Sequence, residues 1–236
     1  MAGPPAPPAG QGDTDAGYYG TVDAADFIDG PTLAQDIGLT AGTAYNSDTP
    51  WLKFAWNGGI VMVPQKPFRY GISWNSIYLN GSVYGDGLIA GESGAEDHNT
   101  NSGGLTATRQ DTKVTIDGVT YKVRLMRCVN EDPYGEICGD NNEWNNLILP
   151  IHEDAPNSFS YSAACAPTAD WGIDFTGSEL VASNYMDGSY NWGQETPSGD
   201  SVNRVGRGFI GVSHVTTYDS GYTGSRTGWR PLLEKI

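Results

Sequence analysis

The chain has 236 residues, 38% of them hydrophobic and only 17% charged, with 32 glycines, 14 prolines and a formal net charge of −15. That much glycine and proline excludes a helical bundle, because both residues shorten regular elements and multiply turns. The acidic excess sets the surface against phosphate backbones and anionic lipid heads, so no nucleic acid is expected as a ligand, and no apolar run is long enough for membrane insertion.

Taken in chain order, residues 2–17 contain only Pro, Ala, Gly, Gln, Asp and Thr. Such a composition buries too little apolar area to offset its ordering entropy, so residues 1–17 are expected to be an extended Pro/Gly-rich arm, of the kind that can lie along a neighbouring subunit inside an assembly. The opening has neither a basic start nor an apolar core, and no secretory signal is expected. From Tyr18 the composition changes, and residues 18–236 are expected to form a single β-rich domain. A short helix is predicted over Thr32–Ile37, with Thr32 as its N-cap, Gly38 as its stop and Asp29-Gly30-Pro31 as the break before it.

Two hairpins are the clearest local signals. Trp51–Trp56 and Ile60–Pro64 are apolar, aromatic or β-branched runs around Asn57-Gly58, and Lys113–Ile116 and Val119–Leu125 flank Asp117-Gly118. Between them, Ile72–Tyr78 reads as a helical turn or a strand, and Gly85–Arg109 as a long polar surface loop. Glu143–Ile151 reads as a short apolar helix stopped by Pro150. No fixed-period repeat appears, which disfavours solenoids and propellers. The resulting fold class is α+β, β-dominated and loop-rich, with short helices and β-hairpins.

Chemistry is sparse. His98, His152 and His214 lie far apart with no metal-ligand spacing, and no Gly-x-Ser-x-Gly, His-Glu-x-x-His or Walker-type loop is present. No catalytic residue is assigned and no enzyme is expected; a glycan hydrolase would show itself as two carboxylates facing one another in a groove. Asp132, Asp140 and Glu143 offer hard oxygens of the kind Ca2+ takes, without matching an EF-hand loop, and they read equally as turn-forming residues beside Trp144. Beyond this Ca2+ option no cofactor is expected. Cys128 and Cys138 could pair across their loop or stay as buried thiols, and Cys165 makes the count odd. Tyr185, Tyr190, Tyr218 and Tyr222 lie among Asn, Ser, Gly, Asp and Thr, where a rigid aromatic face can stack on sugar rings. Trp192 and Trp229 read instead as packing residues, leaving Tyr218 and Tyr222 as the exposed members.

Several strings then stand together: Trp51-Leu-Lys-Phe, the Pro-x-x-Pro-x-Arg-x-x-x-Ser-Trp pattern of Pro64–Trp74, Tyr121-Lys-Val-Arg-Leu125, Glu143-Trp-Asn-Asn-Leu147 and Gly228-Trp-Arg-Pro-Leu-Leu-Glu234. With them the chain resembles tailed-bacteriophage virion proteins, tail-associated or fibre-like, that end in Gly-Trp-Arg-Pro-x-Leu-Glu. The ending is also similar to that of C-type-lectin-like domains related to the formylglycine-generating enzyme and to phage variable receptor-binding proteins. The resemblance implies a lectin-like fold whose last strand returns near the first, with Trp229 plugging the core, Arg230 buried on hydrogen-bonded partners, and ligand-binding side chains between Val205 and Arg226. It implies a virion component made in the host cytoplasm. Its partners would be other virion proteins through the arm, further copies of itself within the assembly, and a host-surface glycan or protein. A capsid decoration protein and a glycan-degrading depolymerase are the alternatives.

Overall fold

Both expected hairpins form, and they build one of two six-stranded sheets. The computed structural model describes residues 4–95, 98, 105–135, 142–155, 169–181 and 187–236. Strands β3 (Trp51–Trp56) and β4 (Gly59–Pro64) pair antiparallel around Asn57 and Gly58, whose φ values of 48° and 74° make the tight turn that right-twisted strands require. The same device, Asp117 at 50° and Gly118 at 77°, joins β6 (Lys113–Ile116) to β7 (Val119–Leu125).

The first sheet runs β1-β3-β4-β12-β7-β6, with β1 at Ala16–Val22 and β12 at Pro231–Lys235. Its faces split the apolar residues. Leu52, Phe54, Val61, Val63 and Leu232 enter one core, and Trp51, Met62, Val123, Leu125 and Leu233 enter the other. Burial on both sides explains why β3 and β4 read as continuous apolar runs instead of alternating ones. The second sheet runs β10-β9-β8-β11-β5-β2, using β2 (Thr43–Ala44), β5 (Arg69–Tyr70), β8 (Tyr190–Trp192), β9 (Asn203–Arg207), β10 (Val215–Asp219) and β11 (Thr227–Trp229). Its β8–β11 pair is parallel. Helices are few and short, so the described residues form a β-dominated chain compatible with the α+β class. The last strand shares a sheet with the first but is separated from it by β3 and β4.

Helix α1 spans Gly30–Asp36 and starts earlier than expected. Asp29, not Thr32, is the N-cap: its carboxylate accepts from the Thr32 amide at 2.7 Å and from the Thr32 hydroxyl at 3.0 Å. The supposed breaker Asp29-Gly30-Pro31 is therefore the start, because a proline in the first turn costs no helical hydrogen bond. Helix α2 (Trp74–Leu79) resolves the ambiguity of Ile72–Tyr78, with Ser73 as its cap. Glu143–Ile151 becomes a wide π-type turn over Trp144–Ile148 followed by a 3-10 turn over Leu149–Ile151, with Pro150 inside the second.

The arm takes a course that its composition does not announce. The expected boundary between residues 17 and 18 falls inside β1, and Pro7 is buried. The Gln11 carbonyl accepts from the Tyr18 amide at 2.8 Å, while the carbonyls of Thr14 and Asp15 accept from Gly58 and Asn57 in the β3–β4 turn. Backbone hydrogen bonds need no apolar side chain, so a reading based on side-chain burial misses them.

Gly228, Trp229, Arg230 and Pro231 carry the chain from one sheet to the other. A Cβ at Gly228 would lie 2.9 Å from the Gly188 carbonyl oxygen, so only glycine allows this close approach of backbones. Trp229 and Arg230 are both 0% exposed. The Arg230 guanidinium donates to the carbonyls of Pro64 (2.7 Å) and Leu180 (2.9 Å) and lies 5.4 Å from the Trp144 ring centre. We predict that Arg230→Ala, which strands both carbonyls and opens a cavity beside Trp144, costs about 3 kcal/mol and lowers the melting temperature by roughly 6–12 °C in calorimetry. An unchanged melting temperature would show that this crossing is not a stabilising element.

Candidate functional site

Three of the four tyrosines singled out by sequence come together on the second sheet. Tyr190 on β8 and Tyr218 on β10 meet across β9 with their rings 4.5 Å apart, and the Tyr218 hydroxyl donates to that of Tyr190 at 2.6 Å. Tyr222 follows β10 in a turn held by Asp219, whose carboxylate accepts from the Gly221 amide and whose carbonyl accepts from the Tyr222 amide. This turn stacks the Tyr222 ring on Tyr218, 5.4 Å away at 20°. On the inner side Phe209 stacks on Tyr190 at 4.2 Å and 10°, with the Arg226 guanidinium 5.6 Å from its centre.

The result is a ladder, Phe209–Tyr190–Tyr218–Tyr222, that climbs from the core to a ring 43% exposed at Tyr222. Tyr190, expected as a contact residue, is 3% exposed and serves as the buried rung that orients Tyr218. Tyr185 lies outside the described residues. Phe209 and Arg226 were missed because nothing local separates them from packing residues. Trp192 and Trp229 are buried as expected, and the Trp192 indole N–H donates to the Ile72 carbonyl at 2.8 Å.

A second feature escaped the sequence reading: a polar groove of about 470 Å3 at the β3–β4 turn and the ends of β7 and β12. Titratable groups converge there. Arg124 is its hub, gripping Glu143 through two hydrogen bonds of 2.8 and 2.6 Å and reaching Glu234 at 2.9 Å. Asp86 holds His98 Nε2 at 2.6 Å, and His98 stacks on Tyr84 with ring centres 4.0 Å apart. Glu195 accepts from the Cys128 amide at 3.0 Å, and Asp132 accepts from the Thr196 amide at 2.8 Å. Of these groups Asp132, Glu143, His98 and Cys128 had been considered singly, but not as one site, since the members are scattered over more than a hundred positions and no local pattern links them.

Of the three Ca2+ candidates, the two described ones hold partners within the protein. Glu143 is 1% exposed and committed to Arg124 and to the Arg127 amide, Asp132 caps Thr196, and Asp140 lies outside the described residues. Among the described residues no group of three or more His, Cys, Asp or Glu side chains could hold a metal ion. Cys128 is a buried free thiol, its ionisation opposed first by burial and then by the neighbouring Glu195; Cys138 and Cys165 lie outside the described residues. No described helix is long and apolar enough to cross a membrane.

No protein-family model and no curated protein matches the chain. Among solved structures it is similar to Treponema denticola variable protein 1, at 13% identity over 81% of this chain and 91% of that one, with a TM-score of 0.24.

Glu195 gives the groove a pH signature. Burial, at 2% exposure, and then the charge of Asp132 push its carboxyl from 4.5 up to about 8, so it is protonated in the folded protein at neutral pH. The unfolded chain releases that proton near pH 4.5, so the folded state holds more protons between the two values and loses stability as pH rises through this window. Glu195→Gln should flatten the fall in melting temperature between pH 5 and 8, within the interval set by the ordinary and raised values. A slope identical to that of the native chain would mean that Glu195 is ionised in the fold.

Proposed function

We propose that the chain is a structural component of a phage virion, tail- or fibre-associated, that acts in assembly and in recognition of a host surface, and that its body is a C-type-lectin-like domain. The aromatic ladder carries the recognition part of this reading. A tyrosine pair stacked at the free edge of a sheet, braced from below by Tyr190 and Phe209, offers a flat apolar face rimmed by hydroxyls. Such a face suits the apolar side of a sugar ring or a protein loop, and a braced ring loses little entropy when it binds. The residues lie on β10 and the turn after it, between Val205 and Arg226, where the resemblance to variable receptor-binding proteins puts ligand contacts. Virion location, oligomerisation within the particle and docking by residues 1–17 rest on the same resemblance.

Particles carrying both Tyr218→Ala and Tyr222→Ala should assemble in normal number and adsorb to host cells about tenfold or more weakly, since each lost stacking contact is worth roughly 1 kcal/mol. Adsorption at the native rate would end the recognition role of this face.

A glycan-degrading enzyme has one observation in its favour: Asp132 and the protonated Glu195 line the same groove, an acid and a base of the kind that hydrolyse glycosidic bonds. Under that reading the purified chain releases reducing ends from host capsular polysaccharide, and Glu195→Gln abolishes the release. Under the recognition reading no reducing ends appear.

A further inference from the structure

The groove that Arg124 organises has an occupant the aromatic ladder does not explain. Lys122, Arg124, Arg127 and Lys235 all line it, four of the 13 basic residues of a chain whose net charge is −15. The same lining carries Asp86, Asp132, Glu143, Glu195 and Glu234, so the groove is no positive patch, and what a ligand meets depends on which of these charges are already paired.

The partners of these charges decide what a ligand would meet. Each acidic side chain in the groove has a partner within the protein: Glu143 and Glu234 in Arg124, Asp86 in His98, Glu195 in the Cys128 amide and Asp132 in the Thr196 amide. Arg127 and Lys235, by contrast, are exposed and make no side-chain hydrogen bond or ion pair with any described residue. Among the described residues, Arg127 and Lys235 are thus the groove's cations without a hydrogen bond or ion pair of their own. A guanidinium presents a planar fork that matches a carboxylate. His98, 7% exposed, has its Nε2 fixed by Asp86 and a buried Nδ1 without a hydrogen-bond partner among the described residues. The half-buried ring of Trp56 forms part of the wall. An aromatic wall, fixed hydrogen-bonding groups and a volume of about 470 Å3 are features of a small-molecule site.

We propose that this groove binds a carboxylated sugar, a uronic-acid-type monosaccharide or the end of an acidic glycan, with the ligand carboxylate on the fork of Arg127, the sugar ring against Trp56 and Lys235 as a further rim charge. The site is separate from the Tyr218–Tyr222 face and needs neither the virion assignment nor hydrolysis.

The test uses the full chain at neutral pH and low salt. Sodium D-glucuronate, D-glucose and sodium acetate are titrated separately while the indole N–H signal of Trp56, assigned by its loss in Trp56→Phe, is followed by NMR. Glucuronate should shift this signal with an affinity about tenfold above that of glucose, and acetate should not reproduce the effect; tenfold corresponds to about 1.4 kcal/mol. The double variant Arg127→Ala with Lys235→Ala, altered only at exposed side chains, should keep the native melting temperature and bind glucuronate no better than glucose. Tyr218→Ala with Tyr222→Ala should bind glucuronate as the native chain does, so a failed adsorption experiment and a failed groove are told apart. No shift with glucuronate, equal affinity for glucose, a preference that survives in the Arg127/Lys235 variant, or an equal effect of acetate would each overturn the proposal.

Discussion

A guanidinium with no access to water holds the two sheets in one body. Arg230 sits at the step between β11 and β12, where the chain leaves the second sheet and enters the first, and its hydrogen bonds reach the end of β4 at Pro64 and the end of the short helix Gly177–Leu180. Burial opposes its charge, and removing such a group from water is tolerated only where fixed dipoles and a π face replace the lost hydration. The carbonyls of Pro64 and Leu180 and the ring of Trp144 supply that replacement, which constrains three segments far apart in sequence to meet at one point.

The same solution recurs. Arg207 lies 5.5 Å from the ring centre of the same Trp144 and donates to Asn145 at 2.6 Å, while Arg204 lies 4.2 Å from the ring centre of Trp74. Three of the core indoles are tied down: Trp51 donates to the Ile28 carbonyl, Trp74 to that of Gly193 and Trp144 to that of Val212. A core made of arginine–tryptophan pairs and anchored indoles is directional, unlike one made of leucine, so it specifies positions as well as exclusion from water. That rigidity allows irregular loops to present Tyr222 on one side and Arg127 on the other in defined places. The groove lies where this polar core opens to solvent, with Arg124 and Glu143 as its floor.

Legibility followed the range of the interaction involved. The hairpins at Asn57-Gly58 and Asp117-Gly118 were readable because a turn needing φ > 0 selects its residues within a few positions. The start of α1 was misplaced because Asp29, Gly30 and Pro31 have the same residue types whether they break a helix or open one, and only the geometry of the Asp29 carboxylate distinguishes the two. For the aromatic face, composition pointed to Tyr190, Tyr218 and Tyr222 but not to their order. Tyr218 and Tyr222 were singled out as the exposed members, but Tyr190 stayed among the contact residues, and it is the pairing of β8, β9 and β10 that sinks it beneath Tyr218. The groove was not readable at all, since Asp86, Arg124, Glu143, Glu195 and Glu234 share no local pattern.

By itself the sequence determined what short-range chemistry controls: the acidic, turn-rich character, the two hairpins, the buried fate of Trp192 and Trp229, and the requirement that Arg230 find hydrogen-bonding partners if buried. Only the tertiary structure decided which backbone carbonyls those partners are, which sheet receives each side of the Gly-Trp-Arg-Pro step, how the N-terminal residues lie against the β3–β4 turn, and which charges gather in one groove. The division is physical. Turn dihedrals and side-chain hydrophobicity are properties of a few consecutive residues, whereas ion pairing and burial depend on distances that exist only after strands from both ends of the chain have paired.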